Sequence, residues 1–510
     1  MKSLMTIVLV VGALSTLSAQ GIQSYSLSST SSTQPPSNSI DALTVMGDTV
    51  WLGTSRGLGL STNGIAWKSF TNVYPFDDRG ISAIATLNGM IWAAIGYSAK
   101  KDGEFIQTGA GLNWSSDRGA TWNHVDQPLD AGTVDTLLYG LNTIRALAIT
   151  VPQQNITFDI ALTDSAVWIA SFAGMLRKST NFGSSWDRVI LPPDYLDSIS
   201  PADTLDFDLS PVGGGLGLRE NLNHRVFSVH ASSDSVLWVG TAAGINRSTD
   251  QGVSWRRFSH QNQAQPISGN FVVALNEQFY QSQQILWAAT VNAVAIDEQP
   301  GVSFSTDMGS SWSTTLLGER THNFAFQDSI VYVASDRGVF RSDDVGQSWV
   351  LTGTIVDQTT LQRFASRPIY AVAAKGDTIW VGGPEGIAFT IDSPTERFGS
   401  TWRIFRTFEP VLSSGKSYSY PSPFSPGDEV VRIHYAVGPP AQSITIRIFD
   451  FAMQPVRTLI QNASRAGSSE YDEIWDGTNE RRELVTNGVY FYRIQIGDDD
   501  GIWGKIFVIR

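Results

Sequence analysis

Apolar and polar positions along this chain fall into short runs that end in small residues, and one order of runs returns seven times. The clearest copy is VLWVGTAAGINRSTDQGVSW, Val236 to Trp255. An apolar run carrying an aromatic leads to a Gly, a short alternating run, and then Ser-x-Asp-x-Gly-x-Ser-Trp. Short apolar runs bounded by turn residues predict buried central strands, and alternation predicts half-buried ones. The central aromatics are Trp51, Trp92, Trp168, Trp238, Trp287, Tyr332 and Trp380. The closing tryptophans are Trp67, Trp122, Trp186, Trp255, Trp312, Trp349 and Trp402. Thirteen of the sixteen tryptophans thus hold a repeat position, so a structural use accounts for them before sugar stacking does.

Self-similarity at this period predicts a repeat architecture, and four short strands per unit predict a propeller blade. The expected fold is all-β, a seven-bladed β-propeller over 40–407 followed by a linker, 408–418, and a smaller β domain, 419–510. The closing motif resembles the Asp-box of sialidase-like (BNR-repeat) propellers. It stands as SSDRGATW from Ser115, STNFGSSW from Ser179, STDQGVSW from Ser248, STDMGSSW from Ser305 and SDDVGQSW from Ser342. Asp117, Asn181, Asp250, Asp307 and Asp344 suit Asx-type turns that accept backbone N–H groups, which makes them scaffold rather than catalysts. Trp122, Trp186, Trp255, Trp312 and Trp349 are expected to fold over those turns. The first copy, STNGIAW from Ser61, is one residue short, and the seventh carries an insertion, Ile391 to Trp402. Irregular terminal units place ring closure there, with Gly21 to Ser29 as a candidate extra edge strand.

Turns between first and second strands are brief, and most turns between third and fourth are the compact boxes. The long segments are 97–110, 127–156, 191–223, 259–270, 291–300 and 353–367, and they are expected to share the opposite face. Long loops on a rigid frame are where binding usually resides. The candidate binding residues there are Tyr97, Phe105, Tyr139, Asp194, Tyr195, Asp197 and Tyr280. The acidic stretch Asp194 to Asp208 invites Ca2+ or a cationic ligand, but its spacing follows no cation-loop pattern. A solvated loop is therefore expected and no cofactor or metal is assigned.

Charge narrows the partners. A net charge of −13 and a pI near 4.9 argue against nucleic acid and anionic membrane, which demand clustered Lys and Arg. Residues 1–19 combine Lys2, an apolar run too short to span a bilayer and small residues near Ala19, which predicts a cleaved secretory signal. A polar segment, 20–39, follows. Without cysteine there is no lipid attachment and no disulfide, so stability must come from packing.

The last ninety or so residues change style. Tyr420-Pro421-x-Pro423-Phe424-x-Pro426, Trp475-Asp476-Gly477 and Gly488-Val489-Tyr490-Phe491-Tyr492 resemble the C-terminal sorting domain of type IX secretion cargo and the Ig-like domain of flagellar hook-capping proteins. That resemblance implies an Ig-like sandwich, a secretion-machinery partner, and release or attachment at the cell surface. On chemistry the sequence is sparse. The early Arg-Ile-Pro of sialidases is missing, no His-Glu-x-x-His or nucleophile elbow is found, and a carboxylate pair is defined by no spacing. The expectation is a secreted, non-catalytic propeller that binds a protein or glycan through its long-loop face. The alternative is a glycan-acting hydrolase with carboxylates in those loops.

Overall fold

A computed structural model describes residues 23–26, 30–32, 34–101, 103–213, 217–360, 362–364, 366–407, 416–427, 430–499 and 501–509. The expected signal at 1–19, most of the linker and Gly214 and Gly215 lie outside the described residues. The chain is all-β, with a single 3-10 turn at Leu222–His224 among the described residues.

Seven antiparallel meanders follow one another along 40–405. Their first strands are Ile40–Met46, Gly80–Leu87, Thr157–Leu162, Val226–Ala231, Phe271–Tyr280, Thr321–Gln327 and Ala371–Lys375. Each first strand packs on the first strand of the next sheet, and Ala371–Lys375 returns to Ile40–Met46. The second strands are buried along nearly their whole length, which is why they read as unbroken apolar runs.

The tryptophans bind one sheet to the next as well as covering their own turns, where Trp122 Nε1 donates to the Gly119 carbonyl at 3.2 Å and Trp255 Nε1 to the Gly252 carbonyl at 3.1 Å. Trp122 of the second sheet meets Trp51 of the first, with ring centroids 6.1 Å apart and planes at 76°. Trp186 meets Trp92, Trp349 meets Trp287, and Trp67 meets Trp380 in the same edge-to-face manner. The last of these joins the first sheet to the seventh. Such pairs contribute about 0.5–1.5 kcal/mol beyond their area. Trp186 and Trp349 are half-buried, whereas Trp122, Trp255 and Trp312 are buried.

Closure has a second component. Asn38 Nδ2 donates to the Thr407 carbonyl at 3.2 Å, and the Thr407 N–H donates to Asn38 Oδ1 at 2.7 Å. The expected edge strand exists but in another place: Gln23–Ser26 pairs with the outer strand of the second sheet, and Thr30–Ser32 pairs with that of the first.

The long connections do not all gather on one face. Residues 97–110 are mostly strand, because Met90–Lys101 and Glu104–Ser115 form one long hairpin. Thr136–Tyr139, Asn142–Ala146 and Asp208–Leu209 make a small sheet of their own, and Ser198–Ile199 adds a fifth strand to the fourth meander. Ile144, Ile149, Ile199, Phe207 and Leu209 share a core beneath them. Those apolar residues require cover, and folding onto the side of the third and fourth sheets supplies it.

The C-terminal region has two sheets around one core. Ser417–Tyr420, Val431–Val437 and Ser469–Trp475 form one, and Pro455–Arg465, Gln442–Phe449, Gly488–Ile496 and Ile502–Val508 form the other. Ile433, Tyr435, Ile446, Ile448, Trp475, Tyr492 and Ile494 meet between them.

Candidate functional site: a phenylalanine-floored groove

Antiparallel pairing puts the closing turns at one end of the sheets and the turns between second and third strands at the other. At the closing end the wiring repeats. In the second sheet the Gly119 N–H donates to Ser115 Oγ at 2.8 Å, and the Thr121 N–H donates to Asp117 Oδ1 at 2.8 Å. The same pair of bonds forms around Asn181, Asp250, Asp307 and Asp344. The Thr121 hydroxyl donates to Asp117 Oδ2 as well, and Ser311 and Ser348 do so to Asp307 and Asp344. These bonds stabilise the ionised form and hold the four aspartates below their ordinary range, Asp344 at about 2.

Gly119 has φ +85° and a Cβ there would lie 2.5 Å from the Trp51 ring. Gly252 and Gly346 stand likewise against Trp168 and Trp287. The glycines are needed both for the turn and for the indole of the neighbouring sheet.

The opposite end carries the groove. In the third and fourth sheets the first strand slips register between Thr157 and Asp159 and between Val226 and Ser228, leaving Phe158 and Phe227 outside the ladder. Their rings lie 5.4 Å apart, Phe271 stands 4.4 Å from Phe227, and Phe172 stands 6.2 Å from it. All four are half-buried. They floor a cavity of about 650 Å³ walled by the hairpin tip Glu104–Gln107, by Gln154 and by Asn292–Val294. Arg225 lies 5.1 Å over the Phe172 ring; its Nε donates to the Pro211 carbonyl, and its guanidinium pairs with Glu220.

One wall is fixed, since the Gln154 N–H donates to the Gln107 carbonyl at 2.7 Å. Phe105 at the tip is 74% exposed and Val294 is 79% exposed. Glu104 is the one carboxylate among the described lining residues.

Of the residues picked from sequence, Phe105 alone lines this groove. Tyr97 is on the same hairpin with its ring 5.5 Å from the Arg79 guanidinium. Tyr139 is corrected: it is buried, and its hydroxyl donates to the Val253 carbonyl at 2.7 Å. Tyr280 is corrected too, because it ends a first strand and so stands at the closing-turn end.

The acidic stretch is solvated in part: Asp197, Asp203 and Asp206 are exposed, whereas Asp194 is half-buried and Asp208 buried. Asp194 accepts the Leu222 and Asn223 N–H groups, and buried Asp208 accepts the Arg219 N–H and faces Arg145. Asp197 meets Arg257 and Asn262, and the Tyr195 hydroxyl donates to the Asp206 carbonyl although its ring is exposed. Among the described residues no group of three or more His, Asp or Glu converges as metal ligands would. The sequence reading missed Phe158, Phe172, Phe227 and Phe271. For Phe158 and Phe227 the signal was a phenylalanine set one step out of the alternation of a first strand, as in Thr157-Phe158-Asp159-Ile160; Phe172 follows a second strand and Phe271 opens a first one.

No protein-family profile and no curated protein matches this chain. Solved structures with similar chains include PorZ, a surface component of the type-IX secretion system of Porphyromonas gingivalis. It shares 15% identity over 92% of this chain, with a TM-score of 0.36, and this chain spans 65% of its length. YCF48 bound to D1 peptide is 13% identical over 73% of this chain and 98% of its own, with a TM-score of 0.41. The WD40 β-propeller domain of Doa1 is 11% identical over 71% and 95%, with a TM-score of 0.40. Likeness at this level assigns no activity. No helix among the described residues is long and apolar enough to cross a membrane.

Proposed function

We propose that this chain is an exported seven-bladed propeller of Asp-box type that binds a protein or glycan through the phenylalanine-floored groove, without chemistry of its own. The C-terminal region is then an Ig-like domain that engages secretion machinery and leads to release or surface attachment. The observation that carries the binding reading is the aromatic floor. Four half-buried phenylalanines from three sheets leave apolar surface facing water, at a cost a folded chain avoids unless something covers it. Support for export is the pattern of residues 1–19 together with the proline and aromatic motifs after Ser419.

The hydrolase alternative needs two carboxylates across one cleft, and the described lining offers Glu104. One purified sample tests both readings. A glycan array and a random peptide library are probed with the wild type and Phe227→Ala, alongside a glycosidase screen. Binding reduced tenfold or more in the variant, with no turnover, is the expected result. Turnover abolished by Glu104→Gln would replace the binding reading with the hydrolase one. Deleting residues 419–510 tests the secretion role separately: periplasmic retention of the propeller is expected, and unchanged secretion contradicts it.

A further inference from the structure

The hairpin that walls the groove outruns the rest of its sheet. Between Gly96 and Leu112 the strands Met90–Lys101 and Glu104–Ser115 pair with each other, without Gly80–Leu87 or Thr121–Val125 beside them. Residues 152–154 lie along one edge instead: the Gly109 N–H donates to the Pro152 carbonyl at 3.0 Å, and the Gln154 N–H donates to the Gln107 carbonyl at 2.7 Å. That added strand stops at Gln154, whose φ of +55° turns its own carbonyl to the Ala173 N–H at 2.9 Å.

Main-chain groups of alternate residues in an antiparallel strand point to opposite edges. Gln107 and Gly109 face residues 152–154, so Phe105 turns its N–H and C=O to the same edge, on a register with Met90–Lys101 that is unbroken from Gly96–Gly109 to Lys101–Glu104. The Gln107 N–H and both Phe105 groups have no partner on that edge among the described residues. Phe105, Gln107 and Gln154 all line the groove, so the open edge runs along its wall beside the phenylalanine floor. Glu104 is the one carboxylate and Arg225, already paired with Glu220, the one cation among the described lining residues.

Taking the groove as the site of binding, we infer that its occupant is an extended, uncharged segment of another polypeptide, added as a strand to Glu104–Gln107. Its main chain continues the line of residues 152–154 and supplies acceptors to the Phe105 and Gln107 N–H groups and a donor to the Phe105 carbonyl. Every second side chain of such a strand points to one face, and apolar ones on that face cover Phe158, Phe172 and Phe227. The edge repeats donor and acceptor at the spacing of a polypeptide main chain, which a glycan does not share.

The full chain is panned against a random heptapeptide library, and the strongest binder is resynthesised with an N-methyl group at each position in turn. Strand addition predicts a period of two, with tenfold or greater loss where the ligand N–H faces Phe105 and less than twofold at the positions between. Phe105→Pro should weaken binding roughly threefold or more beyond Phe105→Ala, since only proline removes the N–H. Both changes fall on an exposed tip, and unaltered urea midpoints show that the variants fold. A library that yields no binder, or peptide binding lost in Phe227→Ala yet indifferent to N-methylation, would overturn strand addition, and a glycan lost in Phe227→Ala would then leave the groove itself standing. Binding untouched by Phe227→Ala would remove both.

Discussion

At the scale of single residues, the closing turns tie up their own carboxylates. Asp117, Asp250, Asp307 and Asp344 each accept N–H and hydroxyl donors of their own turn, so they titrate below the ordinary aspartate value. A depressed folded pKa stabilises above the unfolded value, near 3.9, and that stabilisation is lost as pH falls through the folded one, about 2 for Asp344. Asn181 shows the uncharged version, with its Nδ2 donating to Ser185 Oγ. Replacing all four aspartates by Asn should therefore flatten the fall of the urea midpoint between pH 4 and roughly pH 2, and an unchanged slope would contradict the wiring. Gly119→Ala forces a Cβ into the Trp51 ring at a positive φ and should destabilise by about 2–4 kcal/mol, read as a lower urea midpoint at constant m.

At the scale of elements, the sequence exposed the strands and turns but not where the connections go. Apolar runs and boxes are local signals, set by two or four residues in contact with their own neighbours. The destination of Leu191 to Asn223 depends on Ile199, Phe207 and Leu209 finding the distant Ile144 and Ile149, which no local pattern announces. The groove was half legible: Phe105 was readable on an insertion, while Phe158 and Phe227 depend on bulges that pattern reading treats as noise.

One C-terminal element makes a pH prediction. His434 is buried on Val431–Val437, with Nδ1 3.0 Å from Asp472 and Nε2 3.2 Å from Glu470 on the adjacent strand. Burial works against its charge, but the two carboxylates outweigh burial and raise its pKa. A raised folded pKa stabilises fully below the unfolded value, about 6.5, and is lost as pH rises through the folded one. His434→Gln should lower the unfolding midpoint of the C-terminal region more at pH 5.5 than at pH 8.5, and the reverse order would sink the assignment.

At the scale of the whole molecule, the ring is fastened at its seam by packing and by side-chain clasps. The first and seventh sheets share no strand; Trp67 against Trp380, Asn38 with Thr407, and Lys375 Nζ donating to the Asp48 carbonyl at 2.7 Å join them. Trp67→Ala should destabilise by about 3–5 kcal/mol. Because the seam is the one place where the chain is not continuous between sheets, hydrogen exchange should rise first in Ile40–Met46 and Ala371–Lys375, and uniform loss across all sheets would contradict it.

A frame held in this way leaves recognition to whichever end keeps apolar surface open. The direct test is ligand binding by two single-site variants at opposite ends: Phe227→Ala in the groove and Phe279→Ala beside the Tyr280 turn, where Phe279 is 70% exposed. With whichever peptide or glycan the wild type retains, tenfold or greater loss in Phe227→Ala and none in Phe279→Ala is the predicted result. Loss in Phe279→Ala with full binding in Phe227→Ala would place recognition at the closing-turn end and contradict the account.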